Sequence, residues 1–203
     1  MSDTPTGVPA SLGRLMEELT RLPGIGPRSA ERIAFHLLRA SRDEALRLAQ
    51  AVRDVKENLK YCSTCYNLTE ADPCTICQDP QRDASLVTVV EQPKDVMLFE
   101  QTGLMKGVYH VLMGHIAPLE GIEPADLTID ALVKRVKAGN VKEVLLATNP
   151  TVEGDGTALY IQSALAETGV KLSRLARGLA VGSQVEYASR AMLEAAITGR
   201  TNM

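Results

Sequence analysis

The sequence predicts a multi-domain α+β chain: a helical N-terminal region, a compact cysteine module, an α/β domain with a mostly parallel sheet, and a C-terminal helix. Three observations lead there. Leucines recur at helical spacing before residue 60. All four cysteines fall within residues 62–77. After residue 84, short β-branched runs alternate with helical patterns, the order expected of βα units. At 203 residues and 45% hydrophobic, the chain is long and apolar enough for a substantial core. No apolar run approaches the roughly 20 residues that span a bilayer. The opening MSDTPTGVPA is polar, without a signal peptide's apolar region, so residues 1–10 read as a flexible tail and the expected compartment is the cytoplasm.

Net charge is −3, which does not advertise a polyanion-binding protein. The charge is uneven, however. Residues 1–60 hold 10 Lys/Arg against 8 Asp/Glu, a net of +2, and residues 61–203 hold 12 against 17, a net of −5. A surface for nucleic acid is therefore expected early in the chain, in region 11–60.

Leu12, Leu15, Met16, Leu19 and Leu22 mark one face of a first helix, with Ser11 as its expected N-cap. Leu22-Pro-Gly-Ile-Gly26 breaks that helix, and Pro27 suits the first position of the next. There Ala30, Ile33, Ala34, Leu37 and Leu38 form the expected buried stripe. Arg28, Arg32 and Arg39 share another face, and His36 lies on the solvated side. Gly24 and Gly26 let the backbone approach a ligand closely, and the amides opening the second helix favour an anion beside Arg28 and Arg32. This Gly-x-Gly follows no strand, so it is not a dinucleotide fingerprint. Ser41 and Glu44 have capping-box spacing, and Ala45, Leu48, Ala49, Val52, Val55 and Leu59 carry a third helical stripe to the cysteines.

Cys62, Cys65, Cys74 and Cys77 have the spacing C-x2-C-x8-C-x2-C over region 61–80. Two such knuckles on a short loop suit one Zn2+ held by four thiolates. The competing readings are two disulfides or four buried thiols; disulfides fit poorly with a reducing compartment. A four-thiolate site leaves no position for water and is structural.

In region 84–180, strands are expected at 86–90, 107–113, 143–147 and 170–176, with helices over 94–102, 129–138 and 157–168. Thr148 to Gly156 reads as a loop, and a last helix runs from about Tyr187 to Ile197. Ligands of such sheets bind outside the carboxyl ends of strands, where Glu91, Glu153 and Asp155 are expected. Converging carboxylates there would hold Mg2+. His110 and His115, flanking the second strand, read as structural, and the absence of a G-x4-G-K-[ST] motif argues against an ATPase.

Helix, Leu-Pro-Gly-Ile-Gly, helix resembles a helix-hairpin-helix, a sequence-independent binder of DNA phosphates. The acidic α/β region resembles a Toprim domain, whose glutamate after the first strand acts with a later D-x-D motif. Here that motif reads Asn149-Pro-Thr151-Val-Glu153-Gly-Asp155, so Asn149 and Thr151 replace both aspartates, and amide and hydroxyl oxygens hold Mg2+ weakly. The order of parts, with Leu22 to Arg32, the Cys62–Cys77 module, Asn149 to Asp155 and Val181-Gly-Ser-Gln-Val-Glu-Tyr187, closely resembles the RecR family of bacterial recombination mediators from about Leu12 to Arg200. The resemblance implies a non-enzymatic, nucleoid-associated repair protein acting with RecO and RecF so that RecA loads at gapped single-stranded DNA. It also implies a ring-like homo-tetramer around single- or double-stranded DNA, Gly24, Gly26, Arg28, Arg32 and Arg39 at the phosphates, the acidic loop against RecO, and subunit contact through 181–203. The alternative function is a Mg2+-dependent Toprim nuclease or primase; a third is a zinc scaffold that binds only protein.

Overall fold

The computed structural model describes residues 7–200; the tail expected over 1–10 lies mostly outside them. The chain divides into two compact units, residues 1–59 and 60–203.

The first unit is three helices: α1 (Ala10–Thr20), α2 (Pro27–Arg39) and α3 (Arg42–Asn58). The expected Ser11 cap is not used. Helix α1 begins earlier, behind Pro9, whose φ of −57° is already set for helix entry and whose carbonyl accepts from the Gly13 amide. Pro27 opens α2 as expected. Ser41 caps α3 by accepting from the Glu44 amide, half of the expected capping box. The stripe of α2 is buried only at Ala30 and Ala34; Leu38 stands exposed, as do Leu48, Val52 and Val55 of α3. Their spacing is helical as read, but one copy of three short helices has nothing to lay over those faces.

The second unit starts with a two-stranded antiparallel ribbon, β1 (Lys60–Tyr61) with β2 (Leu68–Thr69), and the single turn α4 (Thr75–Gln78). Then come β3 (Asp83–Val90), α5 (Pro93–Thr102), β4 (Gly107–Val111), α6 (Ile129–Lys137), β5 (Glu143–Leu146), α7 (Val152–Leu165), β6 (Lys171–Arg174) and α8 (Arg190–Thr198). The four strands β3–β6 form one all-parallel sheet in the order β4-β3-β5-β6. Val87, Val89, Val144 and Leu146 pack with Leu132 and Val136 of α6 and Ile161 and Leu165 of α7 on one face. Val90, Tyr109 and Val111 pack with Val96 of α5 on the other, where Tyr66 and Ile76 of the cysteine module also join. Burial on both faces is why these strands read as continuous apolar runs.

One boundary differs in a way that matters. The expected loop 148–156 is short, and α7 starts at Val152, five residues before the expected start at 157. Thr151 caps it by accepting from the Gly154 amide. Gly154 and Gly156 suggest a loop in the sequence, yet both are helical. Glycine is needed at 154 because a side chain there would meet the Asn149 carbonyl.

Candidate functional sites

At the hairpin of the first unit, Gly24 has φ +77°, a conformation that favours glycine, and turns the chain between α1 and α2. Gly26 has φ −85° and is the N-cap of α2. It has no side chain to cap with, so the first-turn amides face outward. Arg28 and Arg32 stand one turn apart beside them, both exposed and without an ion-pair partner among the described residues. Arg21, by contrast, is paired with Glu17 and Glu18. Arg39 shares the face of Arg28 but lies eleven residues on, about 16 Å along the axis. The structure thus places Gly24, Gly26, Arg28 and Arg32 at one exposed corner of the hairpin and sets Arg39 at the other end of the helix. His36 is exposed, as read.

In the second unit, Cys62, Cys65 and Cys74 are buried, Cys77 is partly so, and none is disulfide-bonded. Their four sulfurs lie within 4.8 Å of one another. The Cys74 amide donates to Cys62 Sγ at 3.2 Å. Burial raises the Cys62 thiol, but amides of Cys74, Cys65 and Thr64 outweigh it and bring it down to about 7. The Cys65 thiol is pushed up, first by its contact with Cys77 and then by burial. Four crowded sulfurs that resist sharing negative charge are the donor set a tetrahedral divalent cation resolves, so the residues fit Zn2+. The knuckle is braced on the sheet: the Val111 amide donates to the Cys65 carbonyl at 2.8 Å, and the Tyr66 ring meets His110 edge-on at 5.4 Å.

At the carboxyl edge of the sheet, the strand order reverses between β3 and β5, where Glu91 and Asn149 leave their strands. Glu91 is 2% exposed. Its Oε1 accepts from the Asn149 amide at 2.7 Å, and its Oε2 accepts from Asn149 Nδ2 at 2.6 Å. His115 Nδ1 lies 3.1 Å from the same Oε2. The structural role read for His115 thus has a partner that the sequence hides, 24 residues away.

Glu91, Glu153 and Asp155 do not converge as expected. Asp155 lies in the first turn of α7 and pairs with Arg177 and Arg174; chiefly Arg177 holds its carboxyl down at about 2. Glu153 is exposed. Among the described residues, the cysteines alone form a group of three or more His, Cys, Asp or Glu close enough to share an ion. The donor set at Glu91 does not fit Mg2+, because three N–H groups already engage this one carboxylate and, among the described residues, it is not part of any cluster of acidic groups close enough to share an ion.

A helical hairpin unit, a four-cysteine knuckle and an all-parallel sheet with an acidic carboxyl edge define a multi-part protein of the helix-hairpin-helix, zinc-finger and Toprim class. Family models agree: the RecR helix-hairpin-helix matches residues 12–56, the RecR four-cysteine zinc finger domain 59–79 and the Toprim domain 85–176. The chain is 52% identical to recombination protein RecR of Rhodopirellula baltica, over 98% of this chain and all of that protein. It is 50% identical to that of Pelotomaculum thermopropionicum (95% of this chain, 96% of that one) and 48% to that of Staphylococcus aureus (96% and 98%). The chain belongs to the RecR family.

Proposed function

We propose that this chain is a non-enzymatic DNA-binding protein of recombinational repair, a clamp-like mediator that acts with RecO and RecF to load RecA at single-stranded gaps. The observation that carries the reading is the corner at Gly24–Arg32: an uncapped helix start beside two arginines with no counter-ion among the described residues, suited to phosphate and blind to base identity. Gly24, Gly26, Arg28 and Arg32 form the first contact, and Arg39 reaches a phosphate further along the backbone. Single- and double-stranded DNA are both ligands, and the protein works in the cytoplasm at the nucleoid. Assembly as a homo-tetramer is supported by the apolar surface one copy leaves bare: a groove of about 600 Å³ lined by Leu12, Leu15, Leu37, Leu38, Leu48 and Val52, and exposed Val181, Tyr187 and Ile197 in the segment 181–203. Four copies of the corner would multiply a modest local charge. Zn2+ is structural. The acidic edge with Glu91, Glu153 and Asp155 serves partner proteins, Glu91 by holding the edge in shape.

The test is DNA binding over a salt series with gapped, single- and double-stranded DNA. Arg28→Ala with Arg32→Ala should weaken all three alike, and the slope of log affinity on log salt should fall by about 0.7–0.9 per lost phosphate contact. Unchanged affinity in the double variant would remove the corner from the interface. Cleavage or synthesis by the wild type with Mg2+ or Mn2+, abolished by Glu91→Ala, would support the nuclease or primase reading instead.

A further inference from the structure

Beyond β6 the chain forms a body of its own. Residues 175–200 carry the single turn Val185–Tyr187 and α8. No residue in that stretch is buried, and neither hydrophobic core takes in a residue past Leu172. The stretch closes on itself instead. Gly178, at φ +148°, brings its backbone against α8, where a Cβ would stand 3.3 Å from the Ala196 Cα. Gly199 sits next to the Arg177 carbonyl. Ser189 caps α8 by accepting from the Met192 amide, and the backbone hydrogen bonds from Ser183 to Gly199 are all local.

One side chain crosses from this body to the rest of the unit. Arg177 Nη1 donates to Asp155 Oδ2 at 2.8 Å, and its Nη2 donates to Asp155 Oδ1. Among the described residues these are the only hydrogen bonds or ion pairs between 175–200 and the remainder of the chain. Arg174, the last residue of β6, donates Nη2 to the same Oδ1, so one carboxylate joins the strand end to the segment. Helix α7 sets that carboxylate in place: Thr151 caps the helix, and the Asp155 amide donates to the Thr151 carbonyl at 2.9 Å. Two N–H···O bonds from one guanidinium fix direction as well as distance. A nine-residue helix alone is marginal in water, so the order of α8 depends on how its segment is held.

We propose that Asp155 is the positioning residue of the C-terminal segment: its clamp on Arg177, braced by Arg174, sets how residues 175–200 stand on the sheet and so how Val181, Tyr187 and Ile197 are presented to a second copy. The carboxylate that the sequence offers as a free acid is a joint inside the chain, and a cation that draws it from Arg177 loosens the segment. The three side chains are each about one third exposed, at 32% for Arg174, 34% for Arg177 and 37% for Asp155, so dissolved ions reach the clamp and screen it. The clamp stands on the hydrogen bonds above; its consequence for assembly rests on the reading of 181–203 as subunit contact.

Amide hydrogen exchange of the full zinc-loaded chain, read segment by segment, tests the clamp. Asp155→Asn should speed exchange of the α8 amides roughly three- to tenfold, the range of a partly exposed charge-assisted pair, and leave β3, β4 and β5 unchanged. Asp155→Glu keeps the charge and should stay near the wild-type rate. So should Glu153→Gln, which removes a charge two residues away. Added salt should speed α8 exchange in the wild type and not in Asp155→Asn. In light scattering, Asp155→Asn should need a several-fold higher protein concentration to reach the wild-type mass. An α8 rate untouched by Asp155→Asn, an equal effect of Glu153→Gln, or a salt response that survives in Asp155→Asn would overturn the proposal. Faster exchange throughout the sheet would do the same, because it marks general destabilisation. A wild-type assembly curve alongside faster α8 exchange would overturn the step from clamp to assembly. A wild type that is monomeric at every concentration would overturn that step and the subunit-contact reading together, while the exchange rates still decide the clamp.

Discussion

Glu91→Gln is the sharpest probe of what the carboxyl edge does. The substitution keeps the side chain's size and removes its charge. In the native protein the carboxylate takes the Asn149 amide, Asn149 Nδ2 and the His115 ring nitrogen. Glutamine's single oxygen, placed at the Oε2 position, can keep Asn149 Nδ2 and the His115 ring nitrogen, but its NH2 group then faces the Asn149 amide N–H. A hydrogen bond to a charged acceptor contributes roughly 1.5–3 kcal/mol, and the site is dry enough that the orphaned donor is not rehydrated cheaply. The lost contact therefore costs about 1.5–3 kcal/mol. For a chain of this size that lowers the melting temperature by roughly 3–12 °C. Thermal unfolding at fixed zinc, with and without Mg2+, measures it. Asn149→Asp completes the test: it places two carboxylates where the native pair is 2.6 Å apart, so it should lose similar stability and regain part of it with Mg2+. A Glu91→Gln protein that melts with the wild type would refute a stabilising role for the Glu91–Asn149 contacts. So would a wild type that Mg2+ stabilises through Glu91.

Three further outcomes are expected. Gly154→Ala should destabilise the protein by about 1–3 kcal/mol in denaturant melts, because the new Cβ would fall on the Asn149 carbonyl and 2.9 Å from Glu91 Oε1. Cys65→Ser should lose bound zinc, measured by metal analysis, together with several kcal/mol of stability, since metal affinity here is folding free energy. Stability should also fall as pH falls, through His110. Its Nε2 donates to the Thr128 carbonyl at 3.0 Å, leaving Nδ1 buried without a partner, so burial holds its pKa at about 4 rather than 6.5. The neutral form is the folded one. Its contribution, roughly 3 kcal/mol, is intact above about pH 6.5 and is lost progressively toward pH 4. Denaturant melts of wild type and His110→Gln across that window check it, and parallel pH profiles would contradict it.

Much of the fold is legible in the sequence because its signals are local. Pro27 after Gly-Ile-Gly, Gly103 and Gly139 after helical stripes, and the β-branched run before Glu91 each state their structure within a few residues. The cysteine spacing leads to the zinc centre in the same way, with three of its four cysteines buried. What is illegible depends on pairs distant in sequence. Asn149 reads as a degraded metal ligand, and its positive role, donating twice to Glu91 from 58 residues away, needs the sheet to be assembled. Gly154 reads as loop for the same reason: the Asn149 carbonyl that excludes a side chain is invisible in the sequence. Asp155 looks like a free acid until Arg174 and Arg177 come beside it. Leu38 and Val52 show the converse, a helical stripe read correctly in period but left uncovered in a single copy.

Net charge is a poor guide to what such a chain can hold. At physiological salt a charge is felt over about 8 Å, roughly a turn and a half of helix, so local groupings act independently. Arg28 and Arg32 lie in a unit of slight positive charge and have no counter-ion among the described residues, so a phosphate there meets attraction whatever the distant carboxylates do. On the proposed reading, phosphate binding at this corner is nearly all counter-ion release and should fall by orders of magnitude as salt rises. A salt series on DNA with the wild type and with the Arg28→Ala, Arg32→Ala variant measures it: the variant's slope should be shallower. Equal slopes for the two proteins would mean that the corner takes no part in holding the phosphates.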